Sequence, residues 1–131
     1  MTNLEYRIGR MDIDPGRLKF EDSDPYEAIH KFVVEALDRV LSIYITRRSR
    51  HKYVAEEFKV RGQIVGGGSC YLNSKNQLVL DDFSGDYEAI PKEVAQRFAE
   101  LMLPELEKIG VEVKGIAVNP KESSINSYWK N

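Results

Sequence analysis

A histidine inside a strongly basic segment carries the clearest chemical signal in this sequence. His51 follows Arg48 and Arg50, and the window from residue 47 to residue 61 holds six basic and two acidic residues, a charge of about +4. The histidine also stands where a predicted strand ends and a predicted helix begins, where backbone N–H groups and the helix dipole favour anions. Positive neighbours disfavour imidazolium, so the neutral ring could act as nucleophile or general base. The pattern predicts a compact anion site, with a solvated basic turn and an exposed surface histidine as the structural alternatives.

The charge of the whole chain narrows the class of ligand. The 131 residues include 19 Lys and Arg against 21 Asp and Glu, a net charge of −2. Outside the window from 47 to 61, 13 basic and 19 acidic residues remain, which is −6 over 116 residues. Nucleic-acid recognition usually needs a broad basic face. We therefore expect one phosphate-sized site, with nucleic acid only as a weaker alternative.

Two short segments could bring backbone close to such an anion. The run Gly66-Gly67-Gly68 interrupts a predicted strand, where it permits either close approach of a ligand or a structural bulge. The run Ser84-Gly85-Asp86, between a predicted strand and a predicted helix, offers a hydroxyl and backbone N–H groups, or a simple tight turn. Neither segment matches a dinucleotide fingerprint or a Walker-type phosphate loop.

The other ligating or nucleophilic side chains form no recognisable set in the sequence. His30 lies at the edge of a predicted amphipathic helix, where a packing or surface role is expected. One cysteine, Cys70, and two distant histidines fall short of a zinc set, and the acidic pairs do not follow a calcium-loop pattern. The local signatures of a serine triad and of a cysteine nucleophile are absent from the sequence. We therefore expect neither a metal nor a cofactor.

Length and composition indicate one folded domain over residues 1 to 131. A chain of this length buries roughly two thirds of its unfolded surface, and 42% of its residues are hydrophobic. No apolar run approaches the roughly 18 to 20 residues that cross a bilayer, so no membrane partner is expected. The N-terminal residues lack the basic head and apolar stretch of a signal peptide, and the single Cys70 cannot form an internal disulfide. Both features favour the cytoplasm.

Hydrophobic periodicity and turn residues predict a mixed order of strands and helices. A helix over 25 to 40 is predicted from Asp24 as N-cap, Pro25 and apolar residues at helical spacing. A helix over 91 to 109 is predicted to end at Gly110, with Pro104 kinking it or ending it early. The remaining predicted elements are short strands over 6 to 13 and 17 to 20, a strand over 41 to 46, a short helix over 51 to 59, a hairpin of strands over 61 to 73 and 78 to 83, and a final strand over 111 to 118.

This order of elements favours an α+β fold in which helices pack on a single twisted mixed sheet. The tight turn of the predicted hairpin requires an antiparallel pair, which excludes an all-parallel sheet. The polar segment over 119 to 131 is expected to be a tail. Its Tyr128 and Trp129 favour contact with a second copy in a homodimer, because amphipathic aromatic residues are enriched at interfaces.

One segment, over residues 51 to 118, has an order of motifs similar to that of a known family. His51 opens a predicted helix, IVGGGSCYL at 64 to 72 carries a triple glycine, DFSGDYE at 82 to 88 follows the next strand, and a helix and VEVKGIAV at 111 to 118 complete the series. This order resembles the janus/ocnus family of small phosphohistidine phosphatases, in which the corresponding turn reads Y-S-x-x-Y-G. The resemblance covers about half of the chain.

The resemblance implies a phosphohistidine phosphatase-like fold and metal-independent phosphoryl hydrolysis or transfer, with a phosphate-bearing small molecule or a phosphoprotein as substrate. His51 would be the nucleophile or general base, and Arg48, Arg50, the triple glycine and the turn over 84 to 86 would bind the phosphate. Two positions differ from the family pattern, because Ser69 replaces the usual arginine and Asp86 adds a carboxylate. A non-catalytic, dimeric module that binds an anion or a protein on the same scaffold therefore stays open as the alternative.

Overall fold

Six strands form one curled, mixed sheet. The computed structural model describes residues 4–20, 28–47, 50–81 and 87–118. In chain order its elements are β1 (Glu5–Met11), a short 3-10 helix (Pro15–Arg17), β2 (His30–Leu37), β3 (Val40–Arg47), α1 (His51–Glu57), β4 (Gln63–Leu72), β5 (Gln77–Leu80), α2 (Lys92–Lys108) and β6 (Gly115–Val118). Across the sheet the strands follow the order β1-β3-β2-β4-β5-β6.

The inner strands are antiparallel, whereas each edge strand is parallel to its neighbour. β3, β2, β4 and β5 form successive antiparallel pairs, while β1 runs parallel to β3 and β6 runs parallel to β5. Parallel neighbours need a crossover connection, and α2 supplies it between β5 and β6. The arrangement confirms the predicted α+β fold with a twisted mixed sheet.

Several other predicted elements are also confirmed. The β4–β5 hairpin turns at residues 73 to 76, where the Asn73 side chain accepts the N–H of Lys75. α2 ends before Gly110, whose φ of 83° is the left-handed conformation expected of a glycine that follows a helix. Pro104 lies inside α2, and the prediction of an early end was wrong. The helix continues because Met102 and Leu106, on either side of the proline, are fully buried in the core.

The prediction of a helix over 25 to 40 is wrong, because His30–Leu37 forms the central strand β2. Residues 25 to 27 of the predicted helix lie outside the described residues. β2 pairs with β3 on one side and β4 on the other, and its first six residues are buried. A strand buried on both faces reads as a continuous apolar run, which also fits helical spacing. The following turn, Asp38-Arg39, has φ values of 52° and 67° and contains no glycine, so the usual hairpin signal is missing.

Two shorter predictions also need correction. Over 17 to 20 the chain continues from the 3-10 helix into a single bridge between Lys19 and Leu72 instead of a strand. The last strand is limited to Gly115–Val118, because residues 111 to 114 form no ladder and lead the chain back from α2 to the sheet edge.

Alternate strand residues face two different layers. α2 packs against β1, β5 and β6, and Phe32 and Val34 of β2 belong to the core on that side. α1 packs against β2, β3 and β4 on the opposite side, where Val33 pairs in register with Tyr44 and Gly67. We call these two sides the α2 face and the α1 face.

Candidate functional site

His51 is the first residue of α1, and its side chain lies against the glycine segment of β4. The residue is 3% exposed, and its ring Nε2 is 2.7 Å from the carbonyl oxygen of Gly68. A carbonyl oxygen only accepts hydrogen bonds, so Nε2 carries the hydrogen. In the neutral ring the lone pair is then on Nδ1, which is the atom that could attack an electrophile or accept a proton. The contact with Gly68 therefore selects one of the two ring nitrogens for chemistry.

The triple glycine lets other parts of the chain approach β4 closely. A Cβ atom on Gly67 would lie 3.1 Å from Cδ2 of His51. A Cβ atom on Gly68 would overlap the backbone carbonyl oxygen of Asp81. Only glycine avoids both conflicts, so the run is required where α1 and the end of β5 meet the same strand.

A buried lysine lies on the same face of the sheet as His51. Lys31 of β2 pairs with Ser69 of β4, and the two residues are 6% and 0% exposed. Side chains alternate along a strand, so Lys31 shares the α1 face with Val33 and the paired Gly67. Its Nζ donates to the carbonyl oxygen of Ala28 over 2.7 Å. Lys31 therefore places a positive charge on the same face of the sheet as His51.

Lys31 is absent from the site that the sequence predicts, because hydrophobic periodicity predicts a helix over this segment instead of a strand. The usable signal was a lysine between His30 and Phe32, inside the run that continues as Val33-Val34. Lysine is almost never fully buried unless it is paired. A lysine that interrupts a strand-forming apolar run is therefore a candidate for a binding role.

Asp81 joins the end of β5 to β4 beside the site. The N–H of Ser69 donates to Asp81 Oδ1 over 2.8 Å, and the N–H of Asp81 donates back to the carbonyl oxygen of Ser69 over 3.0 Å. Burial, followed by the charge of Asp81, raises the pKa of Tyr71 to about 12 and raises the pKa of the Cys70 thiol well above its usual value. Both groups therefore stay protonated near neutral pH, and neither provides an anionic nucleophile.

The second histidine, His30, has a packing role, as expected, but in a strand. It is 1% exposed and by alternation faces away from α1. Its Nε2 accepts the N–H of Asp14 over 3.0 Å, and Asp14 Oδ2 in turn accepts a hydrogen bond from Arg47 over 3.3 Å. Burial, then the charge of Arg47, lowers the pKa of His30 to about 4 against an opposing effect of Asp14. The neutral ring thus anchors the segment before the 3-10 helix.

Of the remaining residues predicted to bind phosphate, some are described by the structure and the others are not. Arg50 is exposed at the N-cap position of α1, and Gly66 is buried where a Cβ atom would overlap Ile90. Arg48 and the turn Ser84-Gly85-Asp86 lie outside the described residues. Among the described residues of the predicted site, His51 therefore lies against Gly67 and Gly68. Lys31, which the sequence does not predict for the site, lies on the same face of the sheet.

Neither a metal centre nor a membrane span is formed by the residues that the structure describes. Within residues 4–20, 28–47, 50–81 and 87–118, no three His, Cys, Asp or Glu side chains lie close enough to hold a metal ion together. Over the same ranges no helix is long and apolar enough to cross a membrane.

Comparison of the chain with protein-family models, with curated proteins and with solved structures finds no match in any of the three.

Proposed function

We propose that this protein is a phosphohistidine phosphatase-like hydrolase, in which His51 acts as nucleophile or general base on a phosphoramidate. The observation that carries the proposal is the hydrogen bond from His51 Nε2 to Gly68, which leaves the lone pair of the neutral ring on Nδ1. The buried ammonium of Lys31 on the same face supports it, because a phosphoryl group needs positive charge nearby. The order of motifs over 51 to 118 supports the same chemistry.

The proposed reaction breaks the phosphorus–nitrogen bond, and its electron pair stays on the leaving imidazole nitrogen. In one route Nδ1 of His51 attacks phosphorus, and water then hydrolyses the phosphorylated His51. In the other route Nδ1 accepts a proton from a water molecule that attacks phosphorus directly. The leaving imidazole takes up one proton in both routes, and the products are histidine and inorganic phosphate. Lys31 would balance negative charge on the phosphoryl oxygens throughout.

Replacing His51 by alanine tests the proposal. Wild-type protein is expected to release phosphate from phosphohistidine and from phosphoramidate with EDTA present, and His51→Ala is expected to lose about 10²- to 10⁴-fold in rate. The control is His30→Gln, whose amide oxygen can still accept the N–H of Asp14, and it should keep the wild-type rate. Full activity of His51→Ala, or no phosphate release by the wild type, contradicts hydrolysis.

A non-catalytic anion-binding module is the second candidate, and Ser69 favours it. The family resemblance implies an arginine at this position, whereas here the fully buried serine donates its backbone N–H to Asp81. A site with one cation fewer could retain a phosphorylated ligand without stabilising the transition state. Calorimetric titration with a phosphopeptide separates the candidates, because a module binds it without releasing phosphate. Light scattering of the chain with and without residues 120 to 131 tests the homodimer expected from the tail.

A further inference from the structure

A bulge in edge strand β1 places two arginines on the same face of the sheet as His51. Residues three apart in a regular strand point to opposite faces. In β1, however, Arg7 pairs with Ser42 and Arg10 pairs with Tyr44, because the register shifts between Ile8 and Arg10. Ser42 and Tyr44 are two apart in β3 and share a face, so both arginines lie on the α1 face.

The bulge is built around Tyr44. A Cβ atom at Gly9, in the bulge, would lie 2.5 Å from Cζ of the Tyr44 ring, so glycine is needed for the ring to lie across β1. Tyr44 also stacks on Phe58 at a centroid distance of 5.7 Å, and the guanidinium carbon of Arg10 lies 5.4 Å from the Phe58 ring centroid. Arg7 Nε donates to Ser42 Oγ over 2.7 Å. Both arginines are thus held in place while their side chains remain exposed.

A third exposed arginine, Arg61, follows α1 in the chain, and its backbone lies at this end of the α1 face. The N–H groups of Arg61 and Gly62 both donate to Glu35 Oε2, over 3.1 Å and 2.7 Å. Glu35 Oε1 accepts a hydrogen bond from the Tyr44 hydroxyl over 3.2 Å, so the chain at Arg61 lies beside Tyr44. We call Arg7, Arg10 and Arg61, around Tyr44 and Phe58, the arginine platform.

The carboxylates near the arginine platform form few ion pairs with it. The Glu35 carboxylate is 4% exposed and accepts three hydrogen bonds, from the Tyr44 hydroxyl and from the N–H groups of Arg61 and Gly62. These neutral donors hold it in place beneath the surface. Asp12 lies 3.6 Å from Arg10 Nε, but both side chains are about half exposed or more, and such pairs contribute little. Within the part of the chain that the structure describes, Arg10–Asp12 is therefore the single ion pair formed by these three exposed arginines.

The chemistry of the arginine platform fits an acidic protein segment better than a nucleic acid. Base stacking needs an open aromatic ring face, whereas Phe58 is engaged by Tyr44 and Arg10, and both rings are half-buried. Guanidinium groups bind carboxylates through paired N–H···O bonds. The net charge of −6 over residues outside the window from 47 to 61 also opposes a polynucleotide backbone running along the molecule.

We infer that the arginine platform docks an acidic flank of a phosphorylated substrate protein, an inference that rests on the proposed function for the phosphorylated residue itself. Phe58 follows His51 by seven residues along α1 and its C-terminal turn, which is about 10 Å at the helical rise of 1.5 Å per residue. An extended peptide covers that distance in about three residues. Glu or Asp about three positions from the phosphohistidine, and beyond, would therefore reach the arginines.

Binding of unphosphorylated peptides tests docking without any chemistry at His51. The probes are a fluorescein-labelled ten-residue peptide with four Glu residues and its counterpart with Gln at the same positions, measured by fluorescence anisotropy on the whole protein. Wild-type protein is expected to bind the Glu peptide at least 10-fold more tightly, with the preference falling as salt rises. The variant Arg7→Gln/Arg10→Gln should lose this preference, while Lys75→Gln/Lys114→Gln, with the same change in charge on exposed residues, should keep it. His51→Ala should also keep it.

Three results would overturn the inference. They are equal binding of the two peptides by wild type, an equal loss in the Lys75→Gln/Lys114→Gln control, or tighter binding of single-stranded RNA than of the Glu peptide through the same arginines. Circular dichroism of each variant shows whether it is folded.

A second assay compares hydrolysis of phosphohistidine peptides that carry Glu or Gln three positions from the phosphohistidine. Glu-peptide binding without hydrolysis by wild type would refute the proposed function alone, whereas hydrolysis without a Glu preference would refute the arginine platform alone.

Discussion

The two faces of the sheet are built from different chemistry although they share the same strands. On the α2 face, a 17-residue helix buries its apolar side against alternate strand residues, with Phe98 and Met102 completely inaccessible to solvent. On the α1 face, a seven-residue helix buries only His51 and Val54, and the strands beneath it carry Lys31 and Glu35. Apolar burial stabilises a fold in proportion to area, whereas buried polar groups stabilise it only when fully hydrogen-bonded. We therefore expect the α2 face to determine stability and the α1 face to determine chemistry.

Among the substitutions considered, one in the glycine run of β4 should destabilise the protein most. Gly68→Ala forces a Cβ atom into the backbone carbonyl of Asp81, which cannot move without breaking the pairing of β4 and β5. We expect a loss of at least about 3 kcal/mol in the free energy of unfolding, or no cooperative transition. Urea denaturation followed by circular dichroism measures it. The control is Gly115→Ala, whose Cβ atom would lie 3.7 Å from Gln77 and should change stability by less than about 1 kcal/mol. Equal stability of the two variants would show that β4 adjusts easily.

Phe98→Ala tests whether the α2 face carries stability without chemistry. Phe98 is fully buried and meets Tyr6 edge-on at 5.3 Å between ring centroids, so truncation should cost about 3–5 kcal/mol. The folded variant should still release phosphate at a rate within about twofold of wild type, because His51 and Lys31 both lie on the opposite, α1 face. Leu101→Ala, on the same helix and 39% exposed, is the control and should cost less than about 1 kcal/mol. A large loss of turnover in folded Phe98→Ala would mean that the faces are coupled.

In contrast to Phe98→Ala, the substitution Lys31→Met should reduce phosphate release more than it reduces stability. Methionine removes the buried charge and also the hydrogen bond from Nζ to the carbonyl oxygen of Ala28, so the free energy of unfolding should fall by about 1–3 kcal/mol, less than for Phe98→Ala. Phosphate release should fall about 100-fold, which corresponds to about 2.7 kcal/mol of transition-state stabilisation. Urea denaturation and phosphate release together measure the two effects. Lys75→Met, at an exposed turn position, should change neither quantity. Strong destabilisation with unchanged turnover would assign Lys31 to packing.

His30 should produce the smallest effect, a dependence of stability on pH. Its pKa is about 4 in the folded protein against 6.5 in the unfolded chain, so the unfolded state binds the proton more readily. The contribution to stability is therefore complete above pH 6.5 and is lost as pH falls towards 4. The shift corresponds to about 3 kcal/mol, and solvent near the exposed Arg47 reduces the expected effect to about 1–2 kcal/mol. Urea midpoints of wild type and His30→Gln between pH 7 and pH 4 measure it. Parallel curves for the two proteins would exclude His30 as the source.

The elements that local pattern predicts correctly are those with one buried face. α2 and β3 show a clear helical stripe and a clear alternation, and the polar run at 73 to 76 marks the hairpin turn. The sequence of β2 predicts a helix instead of a strand, because both faces of this strand are buried and its residues therefore do not alternate between apolar and polar. Lys31 is not predicted as a site residue for the same reason. Its neighbours across the sheet are known only from the pairing of β2 with β4.

The sequence by itself determined the elements with strong local periodicity, the unusual charge around His51 and the need for close approach at the triple glycine. Those properties depend on side-chain type and spacing along the chain. Only the tertiary structure decided which His51 nitrogen carries the hydrogen, that Lys31 shares its face, and that a bulge turns Arg7 and Arg10 to the same side. Each of these depends on strand register between segments far apart in the chain, and a shift of one residue would reverse the faces.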